Sequence, residues 1–190
     1  MDRTAILNTY VTDMKAVETH IHDAVARQLE SEDTQKYPDA VRVLTTLKTT
    51  LARHTEALEA YNEQTDGGGI KEAVKEAIGS ALGVAAGLYD QVREDKVSRM
   101  IRDSYTATSL AAISYHMLYT TALGLKSDAV ASLALTNLKD LTPILVELSK
   151  VVCTVVADEL DDEDKVYTAS IATKAVADTQ TAWSGPAVQS

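Results

Sequence analysis

Leu7, Val11, Met14, Glu18, Ile21 and Val25 follow one another at alternating steps of four and three residues. In a helix of ~3.6 residues per turn this rhythm draws one narrow stripe, the seam along which a helix packs against its neighbours. The same rhythm returns at Leu44, Leu47, Leu51, His54, Leu58 and Tyr61, and again at Ala134, Leu138, Leu141, Leu145, Leu148, Val152 and Val155. A fourth line of Val97, Ile101, Thr108, Ala111, Tyr115, Leu118 and Ala122 completes the set. Only three prolines and eight glycines interrupt 190 residues, which leaves long stretches free of helix breakers. The pattern predicts an all-α chain: an antiparallel four-helix bundle over residues 1–160, with 161–190 a short C-terminal helix and tail of the same domain.

The punctuation fits that reading. The first helix is expected from about Thr4 to Leu29, followed by the polar break Ser31-Glu32-Asp33-Thr34. Pro38 suits the first turn of the second helix, and Thr65-Asp66-Gly67-Gly68-Gly69 stops it. Between the hairpins, Ile70 to about Tyr89 reads as an extra small-residue helix with Gly79, Gly83 and Gly87 four apart. That spacing lets another helix approach closely, and tight packing within the protein is favoured over a dedicated dimer interface. The third helix extends to about Leu125. The tight connection Gly124-Leu125-Lys126-Ser127-Asp128 offers Ser127 or Asp128 as a cap for the fourth. Pro143, inside the fourth helix, is expected to kink it or loosen one turn. The acidic run from Asp158 to Asp164 reads as a solvated end, Val166 to Val176 as a short docking segment, and Ser184 to Ser190 as a loose tail.

Charge removes whole classes of function. A net charge of −10 without a Lys/Arg cluster argues against a nucleic-acid partner and against an anionic membrane surface. Ser104 to Leu125 carries no Asp, Glu, Lys or Arg, but its many Ser and Thr residues suit a helix buried against protein rather than a membrane span. The opening Met1-Asp2-Arg3-Thr4 lacks a hydrophobic signal core, so a cytoplasmic protein is expected. The only cysteine, Cys153, sits in Val151-Val152-Cys153-Thr154-Val155-Val156 and reads as a buried, inert thiol. No nucleophile triad, phosphate loop or paired-cysteine metal motif is present.

Glu18 and His54 are polar residues on apolar seams. Residues facing each other across this hairpin have numbers summing to about 69 or 70, and these two sum to 72, an offset of roughly 3–5 Å along the axis. His22 shares the face of Glu18 but lies about 9–10 Å from the level of His54, and His20 points away from the seam. A carboxylate opposite an imidazole is half of a metal site, and it is also what a plain buried hydrogen-bonded pair looks like. The pair is the favoured reading, because a transition metal needs more ligands. Ala16-Val17-Glu18-Thr19-His20-Ile21 is echoed by Ala112-Ile113-Ser114-Tyr115-His116-Met117, where Ser114 stands in place of the glutamate. His116 and Asp140 are level across the second hairpin and are expected as an ordinary surface or boundary pair.

Asp13-Met14-Lys15-Ala16-Val17-Glu18, Ala52-Arg53-His54-Thr55-Glu56-Ala57-Leu58-Glu59 and the stretch from Arg102 to Tyr119 carry a resemblance. Across about Ile6 to Val152 the chain resembles the stress-response ferritin-like family of bacterial proteins typified by YciF and YciE. The resemblance implies a ferritin-like four-helix bundle, usually dimeric, with a dinuclear site built from carboxylates and histidines, and a general link to stress. Glu18 and His54 match ligand positions of that family. Ser114, Met117, Leu141 and Leu145 fall where further ligands are expected, and Leu51 breaks the Glu-x-x-His pattern, so the resemblance is to a divergent member lacking most ligands.

The reading is a non-catalytic bundle acting as a structural or interaction protein through self-association, most simply a homodimer. Neither cofactor nor bound metal is expected. The alternative is a metal-binding oxidoreductase or metal-handling protein, with iron or manganese on an atypical site of Glu18, His22, His54 and His116. A third, a small apolar ligand held between helices, stays open.

Overall fold

The computed structural model describes residues 2–65, 96–164 and 169–184, and among these every regular element is a helix. α1 spans Arg3–Glu30, the short α2 Glu32–Gln35, α3 Pro38–Thr65, α4 Val97–Gly124, α5 Asp128–Asp164 and α6 Ala169–Ser184. The small-residue helix expected at 70–89 lies outside the described residues, as does the tail beyond Ser184. None of the described helices is long and apolar enough to cross a membrane.

Local chemistry sets the boundaries. Asp2 caps α1 by accepting from the Thr4 amide at 3.3 Å, and Pro38, which has no N–H to satisfy, opens α3. The polar break after α1 is itself one helical turn, α2, which buries Thr34. α4 takes its cap from another helix: Glu159 of α5 accepts from the Ser98 amide at 2.9 Å and from its hydroxyl at 2.6 Å. The acidic end of α5 is thus not wholly solvated, since one of its carboxylates satisfies orphan donors at the positive end of α4. α4 ends with Lys126, not Gly124, in the left-handed conformation (φ 57°). Ser127 N donates to Ala122 O at 2.9 Å and Lys126 N to Leu123 O at 3.1 Å, the paired bonds of a Schellman turn. α5 runs unbroken through Pro143, which is exposed, where water can serve the carbonyl that the missing N–H leaves unpaired.

Four long helices share the core. α1 packs on α3 and α4, and α5 on α4 and α3, so α1 and α5 stand diagonally opposite, as do α3 and α4. Thr65, at the end of α3, donates to Asn8 near the start of α1 at 3.1 Å. α4 begins at the other end, where Ser104 donates to Gln28 at 2.7 Å and Gln28 to the Met100 carbonyl at 3.4 Å. Every packed neighbour among the four is therefore antiparallel, while α3 and α4 run parallel across the diagonal.

The core is largely aliphatic and follows the seams of α1, α3 and α4, except that Tyr61 at the end of α3 is half-buried. Each fully buried leucine among them contributes about 1.5–3 kcal/mol of transfer free energy. On α5 the seam is turned slightly from the expected one. The buried line is Ala134, Asn137, Leu141, Ile144, Leu148, Val151 and Val155, and the expected Leu138, Leu145 and Val152 are only half-buried on its flank. A long helix that meets two neighbours at once, α4 and α3, buries a stripe wider than a strict alternation of four and three can specify. α6 lies on the outside, where its Trp183 ring meets Tyr105 at 5.8 Å and Gln180 donates to the Ser149 hydroxyl at 3.1 Å. Cys153, expected in the core, is instead half-buried beside the groove under α6, its thiol 3.6 Å from the Ser149 carbonyl.

Candidate functional site

One cross-section of the core is polar, and each long helix contributes to it. Glu18 of α1 stands on its seam between Met14 and Ile21 and is fully buried. His54 of α3, between Leu51 and Leu58, is 1% exposed, and its Nδ1 lies 3.1 Å from Glu18 Oε1. Tyr115 of α4 sets its ring edge-on to the imidazole, with centroids 6.2 Å apart and planes at 88°. α5 supplies two groups. Asn137 Nδ2 donates to the Tyr115 hydroxyl at 2.8 Å, and Asp140 Oδ2 lies 3.3 Å from His54 Nε2. Arg53 closes the sequence by donating to the same Asp140 oxygen at 2.8 Å. A chain of polar contacts thus leads from a fully buried carboxyl, through one imidazole, to a half-buried carboxylate and an exposed guanidinium.

Burial raises the pKa of Glu18, and the hydrogen bond and positive charge of His54, followed by Tyr115, pull it back only in part. Tyr115 is pushed far up, first by burial and then by the negative charge of Glu18, so its phenol stays protonated. Because Asn137 donates to that hydroxyl, the phenol proton is left for the side facing Glu18. His54 touches an oxygen at each ring nitrogen, and with Asp140 as the carboxylate that Arg53 also meets, two proton arrangements satisfy both contacts. Either an imidazolium donates to two carboxylates, or a protonated Glu18 donates to Nδ1 while Nε2–H donates to Asp140. The two differ only in which side of the Glu18–His54 contact holds the shared proton.

This arrangement does not fit a metal ion. The carboxylates of Glu18 and Asp140 meet opposite nitrogens of one planar ring and so cannot converge on a common point. The remaining positions implied by the resemblance offer nothing. The Ser114 hydroxyl is bonded to the Leu110 carbonyl at 2.8 Å, Met117 is exposed, and Leu141 and Leu145 carry no donor atoms. His22 is half-buried with Nδ1 3.2 Å from Asp23, and His116 is exposed. Neither joins Glu18 and His54. Among the described residues no group of three or more His, Cys, Asp or Glu side chains is placed to hold an ion.

Asn137 is absent from the seam that the sequence draws, and Asp140 meets a different partner from the one its level suggests. Asn137 lies one residue before the expected seam position Leu138, and its spacing of four from Leu141 was the available signal. Asp140 was expected beside His116 and is instead turned toward α3, against His54 and Arg53. The level was right for either neighbour; the roll of α5 about its axis decides between them. No protein-family model, curated protein or solved structure matches this chain.

Proposed function

We propose that the chain is a ferritin-like four-helix bundle without catalytic activity, which serves as a structural or interaction protein by associating with itself. Support for the bundle type comes from the helix directions, with two antiparallel hairpins whose middle helices, α3 and α4, run parallel, as one long crossover between hairpins produces. The observation that carries the non-catalytic reading is the engagement of both nitrogens of His54 by carboxylates on opposite sides of its ring. At the level where such a bundle would hold its ions, His54 engages one oxygen of Glu18 and one of Asp140, and the second Glu18 oxygen, Oε2, is buried without a hydrogen-bond partner. A fixed register across all four helices is the physical result, and fixing register is the best-attested use of buried polar groups.

Elemental analysis of protein purified without chelator tests the metal-free part, and the expected content of iron, manganese and zinc is far below one ion per chain. About one or two ions per chain would overturn it and restore the metal-handling alternative. Sedimentation equilibrium at micromolar concentration tests self-association, and a single species of 20.5 kDa would sink that part.

A further inference from the structure

The outward face of α4 carries no charged side chain over most of its length. From Ser104 to Leu125 the helix has no Asp, Glu, Lys or Arg, in a protein of net charge −10. Yet α4 is not buried all round. Thr106, Ile113, His116, Met117, Thr120 and Leu123 are exposed, and the apolar members Ile113, Met117 and Leu123 are 57%, 54% and 53% exposed. Beside them a groove of about 240 Å³ opens between α1 and α4, walled by Tyr10, Met14, Val17, Leu110 and Met117, with Asp13 at its side. Among the described residues, Asp13 is the only Asp, Glu, Lys or Arg lining that groove.

We propose that this face is the contact through which two copies of the chain associate, related by a two-fold axis near Ile113 and Met117. The proposal rests on the self-association reading above and names its surface. Charge selects the partner. Two copies that each carry −10 repel one another, and they approach with less repulsion where each presents little charge, here Asp13 at the groove. Shape is compatible with that partner. A two-fold contact places the same patch on both sides, so the patch must hold both protrusions and a recess to receive them. This one has both: Ile113 and Met117 stand out from α4, and the groove lies directly alongside. Size is adequate as well. From Thr106 to Gly124 the helix is about 27 Å long, and with α1 beside it the face is about 20 Å wide. That is on the order of 500 Å² in projection before side-chain relief is counted, in the range needed for a contact removing about 800 Å² of accessible surface per partner.

The test is sedimentation equilibrium of the full chain at micromolar concentration, with circular dichroism to verify folding. The unaltered protein is expected at twice 20.5 kDa. Ile113→Glu with Met117→Glu is expected to weaken association at least a hundredfold and give a monomer of unchanged helicity. Should that pair disturb the fold, Ile113→Ser alone, at a site already more than half exposed, is expected to weaken association about tenfold. Ile171→Glu on α6, also an exposed apolar position, is expected to change nothing. A monomeric unaltered protein would overturn both the self-association reading and this surface. A dimer indifferent to the α4 substitutions, or broken by Ile171→Glu, would overturn the surface alone.

Discussion

The middle of the core and the outer face of α4 break the ordinary rule of burial in opposite directions. In the core, Glu18, His54, Tyr115 and Asn137 are polar and almost wholly withdrawn from water, and four helices supply partners for all of them, though Glu18 Oε2 is left without a hydrogen bond. On α4, Ile113, Met117 and Leu123 are apolar and more than half exposed, with no covering element among the described residues. The first anomaly is answered inside the molecule and the second is not. A buried polar group without a partner costs the full desolvation of that group, so selection for folding alone favours partners for most of such a layer. An exposed methyl costs the isolated chain little, so a clustered apolar face points to interaction more than to stability.

If that contrast holds, substitutions in the polar layer act on folding, with the largest effect from breaking one member only. His54→Leu leaves Glu18 buried without its neighbour and Asp140 without the imidazole, and is expected to cost about 3 kcal/mol in urea unfolding. Glu18→Leu is expected to cost about 1–3 kcal/mol, and the double change to Leu far less than the two single costs together. Additive single costs would show that the pair is not coupled, and the layer would lose its claim to be a unit. Tyr115→Phe is the next smaller probe. It removes the acceptor of Asn137 and a donor facing Glu18, for an expected loss of about 1–2 kcal/mol with helicity intact.

Acidity offers a finer measure of the same layer. The folded pKa of Glu18 lies above its ordinary value of 4.5. The folded state therefore holds a proton that the unfolded state has released in the window between those values. Within it, stability is expected to fall as pH rises, because the native protein binds more protons than the unfolded one. Glu18→Gln is expected to flatten that slope in urea unfolding from pH 4 to 7. An unchanged slope would assign it to other carboxyls, among them Asp13, whose pKa is also raised by burial. The smallest effect is expected at the exposed end of the chain of contacts. Arg53→Ala removes a largely exposed ion pair and is expected to cost less than about 1 kcal/mol, with a lower cost in high salt. A loss as large as that of His54→Leu would mean that the polar layer does not stop at Asp140 but depends on the surface.

Sequence periodicity by itself determined that the chain is helical and which residues line three of its four long helices, because an apolar stripe repeats with the helix and has no other use. Connection length and antiparallel geometry brought Glu18 level with His54, and in the structure their side chains are 3.1 Å apart. Level along the axis is one-dimensional information, and numbering carries it. The roll of a helix about its own axis is not written in the numbering. That roll put Asn137 rather than Leu138 on the buried line and faced Asp140 to His54 rather than to His116. Neighbouring positions turn by about 100° per residue, so a modest rotation, set only by how all four helices pack at once, decides which of two adjacent residues meets the core.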